Sequence, residues 1–444
     1  MEELPLELVQ RILTHLDLAS IRNAALTCRT FLDAFKSAEG ILTSEILLRQ
    51  IDLSVLPEAI LVQSSWKLGG DPSPEQATKF AQDHLSSRAP VPTQWKLVDA
   101  LPLERFHHYV DYFANMYSVE AIDKQPRLLA LGEPSHTELL RFQRAFYRFQ
   151  LYCNTVGRNS AIVEPQRLRN MFFGHFAAWE NEQLACVYEY LMRVVAKPFN
   201  CLVDYDVTWG YLQVPYIDCH HSNYGQYILS EGLEKLHRVS MVWSYEAWRP
   251  LLSRGDDRWD EPCYTDGFLH HALQYGANVY PIYEETLSEL DDEDRQEVVG
   301  SPFYDEPDRG PASMWEWVHK DRLPGALVGE IRMRLHRQWA YTFWDCSRLE
   351  GAGLLKDPSI SGDGPHTELG LEKFSAPERL ADLKLSQLFR RKVWESGGTG
   401  WWSAKDQTHV AWPDSSRDSS RAASGQLVYQ PRSLAEAKKF LQGF

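Results

Sequence analysis

Between Leu4 and Phe35 the chain reads LPLELVQRILTHLDLASIRNAALTCRTFLDAF, three short runs in which apolar residues return at helical spacing. Leu8, Val9, Ile12, Leu13 and Leu16 form one stripe, and Glu7, Gln10, Arg11, Thr14 and His15 take the opposite arc. Pro5 suits the first turn of that helix, where its missing N–H costs nothing. Asp17 suits the N-cap of a second helix carrying Ile21, Ala24 and Ala25. Thr27 suits that of a third, with Phe31, Leu32 and Phe35 at core-facing spacing. Helices this short are marginal in water, and a unit of about forty residues without disulfide or metal does not stabilise itself. It must lean on another surface, either the rest of the chain or a separate protein.

The ordered combination Leu4-Pro5-Leu6-Glu7-Leu8, then Ile12-Leu13 and Leu16, then Leu26-Thr27-Cys28-Arg29, resembles the F-box motif. Many F-boxes carry Trp shortly after the arginine, where this chain has Phe31. The resemblance implies docking on a Skp-type adaptor, which bridges to a cullin scaffold. It carries that role onto Leu4, Pro5, Leu8, Ile12, Leu13 and Leu16, and further onto Ile21, Leu26, Cys28 and Arg29.

The motif covers less than a tenth of 444 residues, so most of the chain needs its own account. It holds 15 Trp, 20 Tyr and 19 Phe, a density that implies large cores or an aromatic contact surface. With 46 basic against 61 acidic residues the formal charge is -15, which disfavours nucleic acid and acidic membranes as partners. No apolar stretch approaches membrane-spanning length, and the opening Met1-Glu2-Glu3 does not read as a signal peptide. Seven scattered cysteines and the lack of any Asn-x-Ser/Thr sequon point to a reducing compartment, cytoplasm or nucleus.

The expected fold is mainly α: an F-box over 1–45, a helical connector over 46–95, and a large aromatic-rich helical domain over 96–444 with few short strands. Ile41–Ile51 reads as a helix of its own. Ser135-His136-Thr137-Glu138 has capping-box form ahead of Leu139, Phe142, Phe146, Phe149 and Cys153. A helix through Leu184, Val187, Leu191 and Val195 is expected to stop before Pro198, with Cys201–Tyr205 a strand candidate. Asp266 suits the cap of a helix through Phe268, Leu269, Ala272 and Leu273, ended by Gly276. Pro324 is expected to open the longest helix, carrying Val328, Ile331, Leu335, Trp339, Thr342 and Cys346, and Ser433-Leu434-Ala435-Glu436 to open the last. Glu284–Glu297, Gly300–Pro311 and Ser396–Gly425 read as exposed loops, the last as a candidate disordered insertion. The large region also resembles the C-terminal parts of uncharacterised F-box proteins of filamentous fungi, through FQRAFYRF at Phe142–Phe149 and WAYTFWD at Trp339–Asp345.

Chemistry-bearing patterns are sparse. Cys219-His220-His221, with Cys263 and His270-His271, lacks metal-ligand spacing. Asp291–Asp294 lacks the alternation of a calcium loop, and Gly397–Gly400 has no following Lys-Ser/Thr. No metal and no cofactor is expected. Arg332, Arg334 and Arg337 are candidates for contacting a phosphorylated target, and Trp401, Trp402 and Trp412 for anchoring a partner or packing back onto the domain. The resemblance implies a non-catalytic adaptor that recruits a protein target to a Skp–cullin–F-box ubiquitin ligase. Two alternatives stay open: an adaptor-binding role outside ubiquitin ligation, and an enzyme whose dispersed site lies within residues 100–395.

Overall fold

Caps and turns decide where the first helices begin. The computed structural model describes residues 4–70, 72–86, 94–157, 163–217, 223–253, 268–280, 283–360 and 376–413. Helix α1 (Leu6–Thr14) starts on the Pro5 carbonyl, which accepts from the amides of Leu8 and Val9 at 3.0 and 3.2 Å. Helix α2 (Leu18–Ala25) is capped by Asp17, whose Oδ1 accepts from the Ser20 amide at 2.6 Å. Helix α3 (Arg29–Gln50) has Cys28, not Thr27, at its N-cap position, without a side-chain capping bond; the Thr27 hydroxyl instead donates back to the Ala24 carbonyl at 2.7 Å. The separate helix expected over Ile41–Ile51 is the continuation of α3 beyond a bend at Ala38 (φ −138°, ψ 24°). Next come α4 (Leu56–Ser65) and α5 (Leu97–Lys124).

The surface that the N-terminal helices lean on belongs to this chain. Leu18 and Ile21 are fully buried, and α2 packs on α5. Glu104 of α5 accepts from the Leu18 amide at 3.1 Å and from Gln50 Nε2 at 2.8 Å.

The capping box at Ser135 opens α6 (His136–Thr155) as the sequence indicates, but the helix has no solvated face: every residue from Leu140 to Cys153 is buried. Phe142 stacks on Phe343 at 4.2 Å, and Tyr117 of α5 on Tyr190 at 4.4 Å. Among the described residues most phenylalanines are thus core, while Trp243 and Tyr275 stay exposed. Three arginines come inside with α6 and need partners there. Arg141 reaches Glu306 and Asp345, both at 2.8 Å, Arg144 reaches Glu306 at 3.0 Å, and Arg148 donates to Gln183 Oε1 at 3.0 Å.

On α4, fully buried Glu58 faces the same charged layer. Burial pushes its carboxyl from an ordinary 4.5 up to about 7, against the pull of Arg144 and Arg148. Between those two values the folded state holds a proton that the unfolded chain has released, so this group lowers stability as pH rises through the window. Glu58→Gln removes the effect. Its stability advantage over the parent is expected to grow by roughly 2–3 kcal/mol from pH 5 to pH 8 in urea titrations. Parallel pH profiles for the two proteins would contradict this.

Helix α7 (Ala178–Tyr205) runs straight through Pro198 and includes Cys201–Tyr205, correcting both the expected stop and the strand candidate. Val195, Ala196, Phe199, Leu202 and Val203 are all buried at helical spacing, so packing outweighs the lost hydrogen bond at proline. The long helix expected from Pro324 is instead a series of short turns, Pro324–Ala326, Ile331–Met333 and Arg334–Gln338, then a separate helix at Cys346–Gly351. Positive φ at Gly329 (73°) and Ala340 (50°) breaks it. The acidic loop is also partly helical. Asp291 caps Asp292–Val299, and acidic residues in its first turn suit the positive end of the helix dipole. Helix Phe268–Gly276 forms as expected, while Asp266 and Ser433–Glu436 lie outside the described residues.

The chain divides into two compact units, one of Met1–Leu191, Leu229–His237 and Tyr264–Thr367, the other of Met192–Ile228, Arg238–Cys263 and Glu368–Phe444. The boundaries expected near residues 45 and 95 both fall inside the first unit, the former within α3. In the second unit α8 (Val207–Tyr211) packs on α9 (Pro377–Glu395). A Cβ at Gly210 would lie 2.6 Å from the Cβ of Arg390, so only glycine allows that approach. Asp206 caps α8 through Oδ1, and its Oδ2 accepts from Tyr245 at 2.8 Å and Arg249 at 2.5 Å. The short strands β1 (Thr399–Gly400) and β2 (Val410–Ala411) pair antiparallel beside this core.

Candidate functional site

Helix α1 carries more apolar residues than one face can bury. Val9 and Leu13 are fully buried in the N-terminal bundle. Leu6, Leu8 and Ile12 are left 44%, 52% and 43% exposed, with Leu4 just before the helix and Leu26 beyond α2 also exposed. Leu8 and Ile12, one turn apart, project from the same side. Such a concentration of exposed aliphatic side chains within 23 residues is what a protein-binding face looks like.

This face is held by the elements behind it. Arg49 of α3 donates to the Thr14 and Leu16 carbonyls at 2.5 and 2.9 Å, closing the C-terminus of α1. Gln10 donates to the Ala34 carbonyl at 3.2 Å. These bonds hold α1 in place with Leu8 and Ile12 on its exposed side.

The sequence-derived adaptor contacts therefore separate into groups. Leu4, Pro5, Leu8, Ile12, Leu26 and Arg29 are exposed, and Leu16 and Cys28 are half-buried. Leu13 and Ile21, also among the expected adaptor contacts, are fully buried within this chain. Leu6 was missed. Its signal is the excess itself, since six apolar positions between Leu6 and Leu16 exceed one stripe.

The other candidate contacts do not assemble. Arg337 is interior, its Nε 2.7 Å from Glu182 and its Nη1 2.6 Å from Glu189. Burial works against its charge, and the two carboxylates more than offset that, holding the guanidinium ionised. Arg332 is exposed and lies 3.5 Å from Glu330, and Arg334 is half-buried. No phosphate-binding patch results. Trp402 is buried with Val207, Val393 and Val410, and half-buried Trp412 packs against them. Trp401 is half-buried, bridged to Asp206, with its ring 4.7 Å from Tyr205. These tryptophans anchor their own loop to the second unit.

Among the described residues no group of three or more His, Cys, Asp or Glu could hold a metal ion. Cys219, His220, His221 and Cys263 lie outside the described residues, and buried His270 stacks on Tyr188. No described helix is long and apolar enough to cross a membrane. In the first unit a cavity of about 360 Å³ is lined by Arg144, Arg148, Glu180 and Glu306, whose charges engage one another. A larger open groove of about 1140 Å³ runs along α5.

F-box domains in general serve substrate recognition by ubiquitin ligases through a Skp-type adaptor. No curated protein and no solved structure matches the chain. Residues 1–40 match the family model of the F-box domain, and they contain the exposed aliphatic face of α1 and the α2–α3 turn. The chain carries an F-box domain at its N-terminus.

Proposed function

We propose that this chain is the target-recruiting subunit of a Skp–cullin–F-box ubiquitin ligase, without chemistry of its own. The observation that carries the reading is the exposed aliphatic set Leu4, Leu6, Leu8, Ile12 and Leu26 inside the F-box. A Skp-type adaptor would bury these residues and link the chain to cullin, while residues beyond the F-box hold a protein target. Ubiquitin transfer then belongs to other subunits, in cytoplasm or nucleus.

Reconstitution with a Skp-type adaptor and cullin tests it. The three proteins are expected to co-elute from size exclusion, and the Leu4→Ala, Pro5→Ala double variant to shift out of the complex. An adaptor complex that excludes cullin would overturn the ligase role in favour of a function outside ubiquitin ligation.

A further inference from the structure

The open groove along α5 lies within the first unit and is bordered by α2, by the turn at Glu231 and by the start of the helix Leu233–Ser240. Five carboxylates line it, from Asp17, Glu104, Asp111, Glu231 and Glu234, against two guanidiniums, from Arg22 and Arg105. Arg105 already faces Glu234 at 3.6 Å, and Lys235 faces Glu231 at 4.0 Å. Glu104 accepts from an amide and from Gln50, and Asp111 from Gln143 Nε2 at 2.9 Å, so neutral donors fix these two without cancelling their charge. Trp66 stands on the wall, 37% exposed and braced edge-on against Phe106 at 6.1 Å between ring centroids.

A negative groove with an accessible indole on its wall is complementary to a cation on a flexible stem. The ring attracts the charge, the carboxylates pair with it, and the walls cover its methylenes. We propose that this groove binds an extended segment of the target bearing lysine or arginine. The inference names the class of target for the recruiting role above and rests on it. A groove of this size accepts several residues of peptide, and its position beside α2 would put the target next to the F-box.

Fluorescence anisotropy of a labelled peptide of alternating lysine and glycine, titrated with the full chain, tests this. A glutamate–glycine peptide serves as control. The lysine peptide is expected to bind, and Glu231→Lys with Glu234→Lys to weaken it at least tenfold. Both residues are exposed, so the fold is retained. Trp66→Ala is expected to weaken binding several-fold. Reversal at the remote acidic helix, Asp292→Lys with Glu293→Lys, is expected to leave it unchanged. Equal weakening by the remote pair, or equal affinity for the glutamate peptide, would overturn the groove as a site. Adaptor binding is measured on the same preparations. Peptide binding without adaptor binding would sink the ligase role alone, and adaptor binding without peptide binding would sink the groove alone.

Discussion

Arg337→Met is expected to destabilise the first unit by about 3–5 kcal/mol, because it strands two carboxylates in the interior. Glu182 and Glu189 are essentially inaccessible to solvent and both lie within hydrogen-bond distance of this one guanidinium. Glu182 also accepts from the Gly329 amide at 3.0 Å, and Tyr117 donates to the Arg337 carbonyl at 2.6 Å. The node therefore ties α5 and α7 to the turns between residues 329 and 343. Arg337→Lys keeps a charge but not the fork that reaches two carboxylates, so it is expected to recover only part of the loss. Urea unfolding measured by tryptophan fluorescence checks the series. A change below about 1 kcal/mol for Arg337→Met would mean that the carboxylates find other partners.

The second large effect separates binding from folding. Leu8→Asp with Ile12→Asp changes two exposed side chains, so stability is expected to move by no more than about 0.5 kcal/mol per site. Adaptor affinity is expected to fall at least a hundredfold, about 2.7 kcal/mol, as two apolar anchors become charges in a desolvated contact. Leu13→Ala is the mirror image. It empties a fully buried position and is expected to cost roughly 2–5 kcal/mol of stability, weakening the adaptor complex only through the fold. Thermal melts by circular dichroism beside binding assays distinguish the two.

The same helix shows how far the sequence could be read. Helical spacing identified α1, and Asp17 and Ser135 marked real caps, because caps act through bonds to the next few residues. Periodicity could not say which apolar residues the chain keeps for itself. That depends on α3 and on Glu104 of α5, 86 positions from the amide it receives at Leu18. Arg337 was misread for a related reason. Alone it looks like the solvated side of a helix, and its carboxylates lie about 150 positions earlier. Tertiary packing also carried α7 through Pro198 and folded the tryptophan-rich loop onto Val207 and Val393. The groove was not legible at all, since its acidic residues come from separate segments between Asp17 and Glu234.

Isothermal titration of a purified Skp-type adaptor into the full chain, beside the Leu8→Asp, Ile12→Asp variant, tests the central claim most directly. The account predicts one-to-one binding by the parent and loss of that binding by a variant that melts like the parent. Undiminished binding by the folded variant, or no binding by the folded parent, would contradict it.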